Sequence, residues 1–217
     1  MIITCEPQVI CEVGVGGIEV CKSIHYFGKP KTKVMLFDAV YEYCIQLDKY
    51  CDEENVKNVE IHNCCIYDYD GDVDVYKNGE ASMIKGIDGP NLDKNGNLRD
   101  LNLNKEKAGF NNIISRKCFK FNNFDRGDID VLFLDTEGSE WFTLKHMISL
   151  PTLIAIEMRM HNYINPFAEE IFKWMEKNKY MILKDNGSDV IFLRKNLINL
   201  VEENKYELNF LLDTFGL

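Results

Sequence analysis

The chain has 217 residues, a length that fits one large domain, and its composition is that of an ordinary globular protein: 46% hydrophobic and 28% charged, with five prolines. A formal net charge of −10 and a sequence pI near 4.9 argue against nucleic acid as a partner, because phosphate binding needs a basic surface. The same charge suits a neutral or cationic small ligand, and solubility alone also accounts for it.

The eight cysteines form no C-x-x-C pair and mostly occupy apolar-periodic positions or apolar runs, and with four scattered histidines no zinc spacing emerges. "MIITCEPQV" lacks the basic start and apolar core of a signal peptide. No apolar stretch reaches the roughly 18–20 residues of a membrane span. These features lead to the expectation of reduced thiols and a cytoplasmic location with no membrane span, although an excised domain that had lost its targeting signal would read the same. The sequence specifies no oligomeric state.

In chain order, "QVICEV" (8–13) reads as a buried strand followed at once by "GVGG". Apolar residues at Ile18, Cys21, Ile24 and His25/Phe27 then predict a helix stopped by Gly28 and Pro30. "KVMLFD" (33–38) is a second strand, and Val40, Cys44, Leu47 and Cys51 mark a second helix. "NVEIHNCCIY" (58–67) is a third strand. Strand–helix alternation of this kind implies a parallel sheet with right-handed crossovers.

Residues 68–120 break the pattern. "YDYDGDVDVY" suggests a turn and an edge strand, and the polar, Gly- and Asn-rich run after it is too long for an ordinary connection. It reads as a mobile loop or a substrate-facing insertion, about 78–125, in a single domain spanning 1–217. "DKNGN" lacks the later acidic ligands of a calcium loop and reads as a turn.

Alternation resumes with "DVLFLD" (130–135), a helix from near Ser139, and a fifth strand in "TLIAIEM" (152–158). Asn165-Pro166 opens a helix carrying Phe167, Ile171 and Trp174/Met175. "YMILKDNGSDVIFLRK" (180–195) is a hairpin, and the last 20 residues suggest an outer helix. The expected fold is α/β: a doubly wound, seven-strand sheet, mostly parallel, with an antiparallel C-terminal hairpin strand.

Ligands of such sheets bind at the carboxyl ends of the strands. Here those ends carry Glu12 with Gly14, Gly16 and Gly17; Asp38; His62 to Cys65; Asp135 and Glu137; and Glu157, with His161 just beyond. The glycines permit a tight turn against a ligand, and an acid 20–25 residues on can accept both hydroxyls of a ribose. Together they point to a nucleoside-containing cofactor. Position 19 is Glu rather than the third glycine of G-x-G-x-x-G, and Glu12 would repel a pyrophosphate. An acid there suits a ligand with a cationic amine and a sulfonium, which is S-adenosylmethionine (product S-adenosylhomocysteine).

"ICEVGVGGIEV", "VMLFDA", "VEIHNCCIYDYDGDVDVY" with "ASMI", and above all "IDVLFLDTEGSEWFTLKHM" with "LIAIEM" resemble the FkbM-type family of S-adenosylmethionine-dependent methyltransferases. That family has the Rossmann-like class I fold. The resemblance runs from residue 8 to about 195. The chain departs at Ile18, where the family usually has glycine, and at Asp38-Ala39, where Glu-Pro is common. The resemblance implies methyl transfer to an oxygen of a small molecule or sugar. It places Glu12 at the methionine part, Asp38 at the ribose, and Asn63 and Cys64 along the adenine pocket.

Asp135 would sit where the fourth strand opens onto the cofactor's methyl. A hydroxyl acceptor needs a base at the moment of attack. Asp135 and Glu137 are the first candidates, with Glu157 and His161 as the others. Glu137 and Ser139 also suit a helix N-terminus, a role that fits Glu140 with no chemistry attached. A further reading makes Asp135, Glu137, Glu157 and His161 an oxygen-rich cluster of the kind Mg²⁺ prefers, which spacing alone does not establish, and no metal is assigned. Trp141 and Trp174 read as core. Two other functions stay open: a methyltransferase-like binding module without turnover, and a nicotinamide-dependent oxidoreductase.

Overall fold

The computed structural model describes residues 7–100 and 102–195. The anticipated C-terminal helix lies outside the described residues. In chain order the strands are β1 (Val9–Val13), β2 (Lys33–Phe37), β3 (Val59–His62), β4 (Cys65–Ile66), β5 (Gly71–Tyr76), β6 (Met83–Ile84) and β7 (Ile113–Phe119). They continue as β8 (Val131–Leu134), β9 (Leu153–Glu157), β10 (Arg159–Met160), β11 (Tyr163–Ile164), β12 (Tyr180–Asp185) and β13 (Asp189–Arg194). The helices are α1 (Tyr41–Glu53), α2 (Glu140–Lys145) and α3 (Ala168–Lys177).

Seven strands form the main sheet in the order β12-β13-β9-β8-β1-β2-β3. β3, β2, β1, β8 and β9 pair in parallel, and β13 runs antiparallel between β9 and β12. The doubly wound sheet expected from the sequence is therefore present. Its inner strands are apolar on both faces because both faces are covered. Cys11, Phe37, Leu132 and Ile154 pack toward Phe121, Leu144 and the α3 residues Ile171 and Met175. Ile10, Leu36, Phe133 and Ala155 pack on the other side with Tyr26 and the α1 residue Leu47. Each fully buried Leu, Ile or Phe contributes roughly 1.5–3 kcal/mol. The 185–188 turn of the final hairpin is held by Asn186, whose Oδ1 accepts from the amides of Ser188 (2.9 Å) and Asp189 (2.7 Å).

The connection after β1 corrects the sequence expectation. Residues 18–27 hold only a five-residue 3₁₀ turn, Lys22–Tyr26. The Glu12 carboxylate draws in the backbone amides of Lys22 and Ser23, both at 2.9 Å. Gly28, at φ +75°, ends the turn on the other side. Too little chain remains for an α-helix.

Residues 68–120 differ more. β5 is an inner strand, antiparallel to both β7 and β6, in a second sheet ordered β4-β7-β5-β6. The third strand predicted over 58–67 is thus split, its first half in the main sheet and Cys65–Ile66 in the second. The rest of the polar run folds over a small core of Met83, Leu92 and Phe110. "DKNGN" is a turn in which Asp93 Oδ1 accepts from the amides of Asn95 and Asn97, each at 2.9 Å. α3 begins at Ala168, two residues after Pro166, with the Phe167 amide donating to Asn165 Oδ1 at 2.9 Å. The seven described cysteines are free and buried. Among the described residues no helix is long and apolar enough to cross a membrane.

Candidate active site

A cavity of about 300 Å³ opens at the carboxyl ends of β1, β2, β8 and β9. The second sheet closes it from above through Ile66, Val75 and Ile84. Its volume lies at the low end of the range for small-molecule sites.

At one end is the glycine turn. Gly14 has φ +83°, and a Cβ there would fall 1.7 Å from the Asp135 carbonyl oxygen, so the backbones of β1 and β8 meet as only glycine allows. Asp38, at the end of β2, anchors the turn. Its Oδ2 accepts from the amides of Val15 (3.1 Å) and Gly16 (2.9 Å), and its Oδ1 from Val40 at the start of α1 (2.7 Å). Burial raises the Asp38 pKa, and those three amides work against the rise. A carboxylate offers about four lone-pair positions, so one remains for a ligand hydroxyl.

At the other end three carboxylates converge. Asp135, Glu137 and Glu157 each bring an oxygen to within 4.8 Å of the others. Two unit charges at that separation repel by roughly 3–4 kcal/mol at an effective dielectric near 20. Glu137 lies in the left-handed region (φ +56°) and Gly138 follows at φ +106°, where a Cβ would meet the Asp88 carbonyl oxygen at 2.5 Å. This turn lifts Glu137 into the cavity. Burial, followed by the charges of Asp135 and Glu140, pushes its pKa up to about 8. Burial and then Asp135 raise Glu157 likewise. Glu157 is 6% exposed, and its Oε2 has no hydrogen-bond partner among the described residues.

Lys22 supplies the positive charge. Its Nζ donates to Asp135 Oδ2 at 2.9 Å. Burial works against this ammonium, but Asp135 and Glu12 outweigh it and hold the pKa above the usual lysine value.

Solved structures similar to the chain include a SAM-dependent O-methyltransferase from Thermotoga maritima, with 12% identity and a TM-score of 0.44 over 87% of this chain. The chain spans 60% of the length of that protein. Also similar is a SAM-dependent methyltransferase from Aquifex aeolicus, with 12% identity and a TM-score of 0.39 over 88% of this chain and 83% of the other. A precorrin-6y C5,15-methyltransferase from Geobacter metallireducens shares 8% identity, with a TM-score of 0.41 over 89% of this chain and 85% of its own. No protein-family model matches the chain, and no curated protein matches it.

Of the residues singled out from the sequence, Gly14, Gly16, Asp38, Cys64, Asp135, Glu137 and Glu157 line the cavity. Four do not. Gly17 packs toward Tyr43 and Gln46. Asn63 donates its Nδ2 to the Asp38 carbonyl oxygen at 2.9 Å and so braces the site from behind. His161 is exposed in the β10–β11 turn and does not line the cavity. Glu12 points under the glycine turn rather than into the cavity. It accepts from the amides of Lys22 and Ser23 and, at 2.6 Å, from Ser23 Oγ.

The placement of Glu12 overturns one argument made from the sequence. A carboxylate engaged by its own chain does not decide between a pyrophosphate and a sulfonium. The acids that face the cavity are Asp135, Glu137 and Glu157. Glu140 fulfils the scaffold role expected of it: Oε1 accepts from the amides of Thr136 (2.8 Å) and Gly138 (3.1 Å), and Oε2 from Asn165 Nδ2 (2.5 Å).

Sequence reasoning missed Lys22, and also Tyr163, whose hydroxyl is buried and has no partner among the described residues. The one available signal for Lys22 was a basic residue close behind a glycine turn in an acidic chain. The wall formed by Gly79, Glu80, Ser82 and Met83 had no sequence signal beyond lying in the long insertion.

Proposed function

We propose that the chain is an S-adenosylmethionine-dependent methyltransferase of the FkbM type, acting on an oxygen of a small molecule or sugar. The observation that carries this reading is one cavity joining a glycine turn and Asp38 at one end to three carboxylates at the other. The remaining acceptor position of Asp38 suits a ribose hydroxyl. Phe37, Val40, Cys64 and Ile66 offer an apolar wall to a flat base. When bound, the cofactor supplies an electrophilic methyl group on a sulfonium, and negative side chains at the far end favour that positive charge.

Glu137 is the base in this reading. With the cofactor bound and a hydroxyl acceptor beside it, the Glu137 carboxylate would be placed to take the hydroxyl proton as the methyl group is transferred. Glu137 must be ionised before it can take that proton. Asp135 is held by Lys22 and orients the site. His161, in its exposed turn, has no part in the step. The insertion enters through Gly79, Glu80, Ser82, Met83 and Ile84, which line the cavity, and we assign acceptor selection to it.

Calorimetric titration with S-adenosylhomocysteine beside NAD⁺ tests the reading. Binding of the first, lost in an Asp38→Ala variant that stays folded, is the expected result. Binding of NAD⁺ alone would replace it with the oxidoreductase. Cofactor binding without turnover on any hydroxyl acceptor would favour the silent module.

A further inference from the structure

The three carboxylates at the far end of the cavity pose a problem that the cofactor reading leaves unsolved. Buried charge is ordinarily paired or hydrogen-bonded. Lys22 satisfies one oxygen of Asp135, while Glu157 is 94% buried, taking its 6% exposure from the whole, and leaves Oε2 without a partner among the described residues. A second unpartnered atom lies beside the cluster. Tyr163 is 2% exposed, and its hydroxyl has no hydrogen-bond partner among the described residues, although a Cβ on Gly138 would come within 3.0 Å of it. With all three acids ionised, three negative charges face one ammonium, leaving two in excess.

We propose that Asp135, Glu137 and Glu157 form a binding site for one hard divalent cation of the Mg²⁺, Mn²⁺ or Ca²⁺ class. The donor set is all oxygen, the preference of those ions. The oxygens lie within 4.8 Å of one another, which is about the trans separation across a cation with ligands at roughly 2.3–2.6 Å. The two excess charges equal the charge of such an ion. Three protein ligands leave further coordination positions, which water or an oxygen-bearing acceptor completes from the cavity. His161, grouped with these acids on sequence grounds, is not a ligand, because it is exposed in the β10–β11 turn. The site stands on the carboxylates alone and does not depend on the identity of the cofactor; with the ion bound Glu137 is a ligand, so its role as base belongs to the cation-free site.

The test is a titration of the full chain with Mn²⁺ alone at pH 8.5, followed by loss of the free-ion electron paramagnetic resonance signal. The expected result is uptake of one Mn²⁺ per chain, weakened at least tenfold in Glu157→Gln and partly restored in Glu157→Asp. Asp135→Asn provides a second weakened variant should the first fail to fold. A folded wild-type chain that takes up no Mn²⁺ at millimolar concentration overturns the proposal. So does uptake that neither charge-removing variant changes. S-adenosylhomocysteine titrated into the same samples separates the two readings. Its binding without Mn²⁺ uptake removes the cation site and keeps the cofactor, and the reverse keeps the cation site alone.

Discussion

Two groups of acids sit at the carboxyl end of one sheet, and they differ in how their oxygens are used. Glu12, Asp38 and Glu140 are each met by backbone amides of the chain's own turns. Glu157 has an oxygen with no partner among the described residues, and Glu137 is raised in pKa by burial and neighbouring acids. The first group shapes the turns that surround the cavity. The second holds charge that the fold does not satisfy, which is the condition for gripping something else. Type and position in sequence do not separate the two groups. Their partners do.

The comparison breaks most visibly in stability. Glu140→Ala removes the acceptor of two backbone amides and of Asn165. With each such bond to a charged group worth about 1.5–3 kcal/mol, the expected loss in chemical denaturation is roughly 3 kcal/mol or more. Glu12→Ala should cost a similar amount. A loss under about 1 kcal/mol in both would show that these acids are not scaffold. Glu157→Gln should do the opposite, raising the melting temperature at pH 8, because it removes a buried carboxyl that must hold a proton which the unfolded chain has released at this pH. A fall there would mean that the carboxylate is already paired.

The pH dependence sharpens the same contrast. Glu137 and Glu157 have folded-state pKa values raised above the ordinary carboxylate value of 4.5. Between that value and the raised one, the folded chain binds more protons than the unfolded chain. Their contribution to stability is therefore present at low pH and is lost as pH climbs from near 5 through about 8 for Glu137 and about 9 for Glu157. Melting temperatures across this window should fall more steeply in wild type than in the Glu157→Gln variant. Equal slopes would contradict the assignment. The smallest expected effect concerns the insertion: Ser82→Ala, on the cavity wall, should leave S-adenosylhomocysteine affinity within about twofold while changing the KM of an acceptor.

The parallel strands were legible because a sheet buried on both faces demands unbroken apolar runs such as "VLFL" and "LIAIE", and their ends named the acids. The second sheet was not legible. Gly71–Tyr76 and Ile113–Phe119 are partly exposed and polar along much of their length, and Met83–Ile84 is too short to signal itself. The 3₁₀ turn defeated a helical pattern because Glu12 captures the amides of Lys22 and Ser23, in the middle of the stretch the pattern assigned to a helix. The same capture hid the role of Glu12. Which carboxylate is met by backbone amides depends on the path of a turn, and no spacing rule conveys that. Lys22 reached the cavity through that turn as well.

The most direct test of the account compares S-adenosylmethionine with S-adenosylhomocysteine by calorimetry at pH 6 and pH 9, with a chelator present. The two ligands share every titratable group and differ in the sulfonium charge. Below a pKa of about 8 Glu137 is protonated, and above it the carboxylate faces the sulfonium. Preference for S-adenosylmethionine should therefore strengthen severalfold from pH 6 to pH 9. A preference that stays constant, or binding of neither ligand by the folded chain, would contradict the assignment of these acids to a methyl-transfer site.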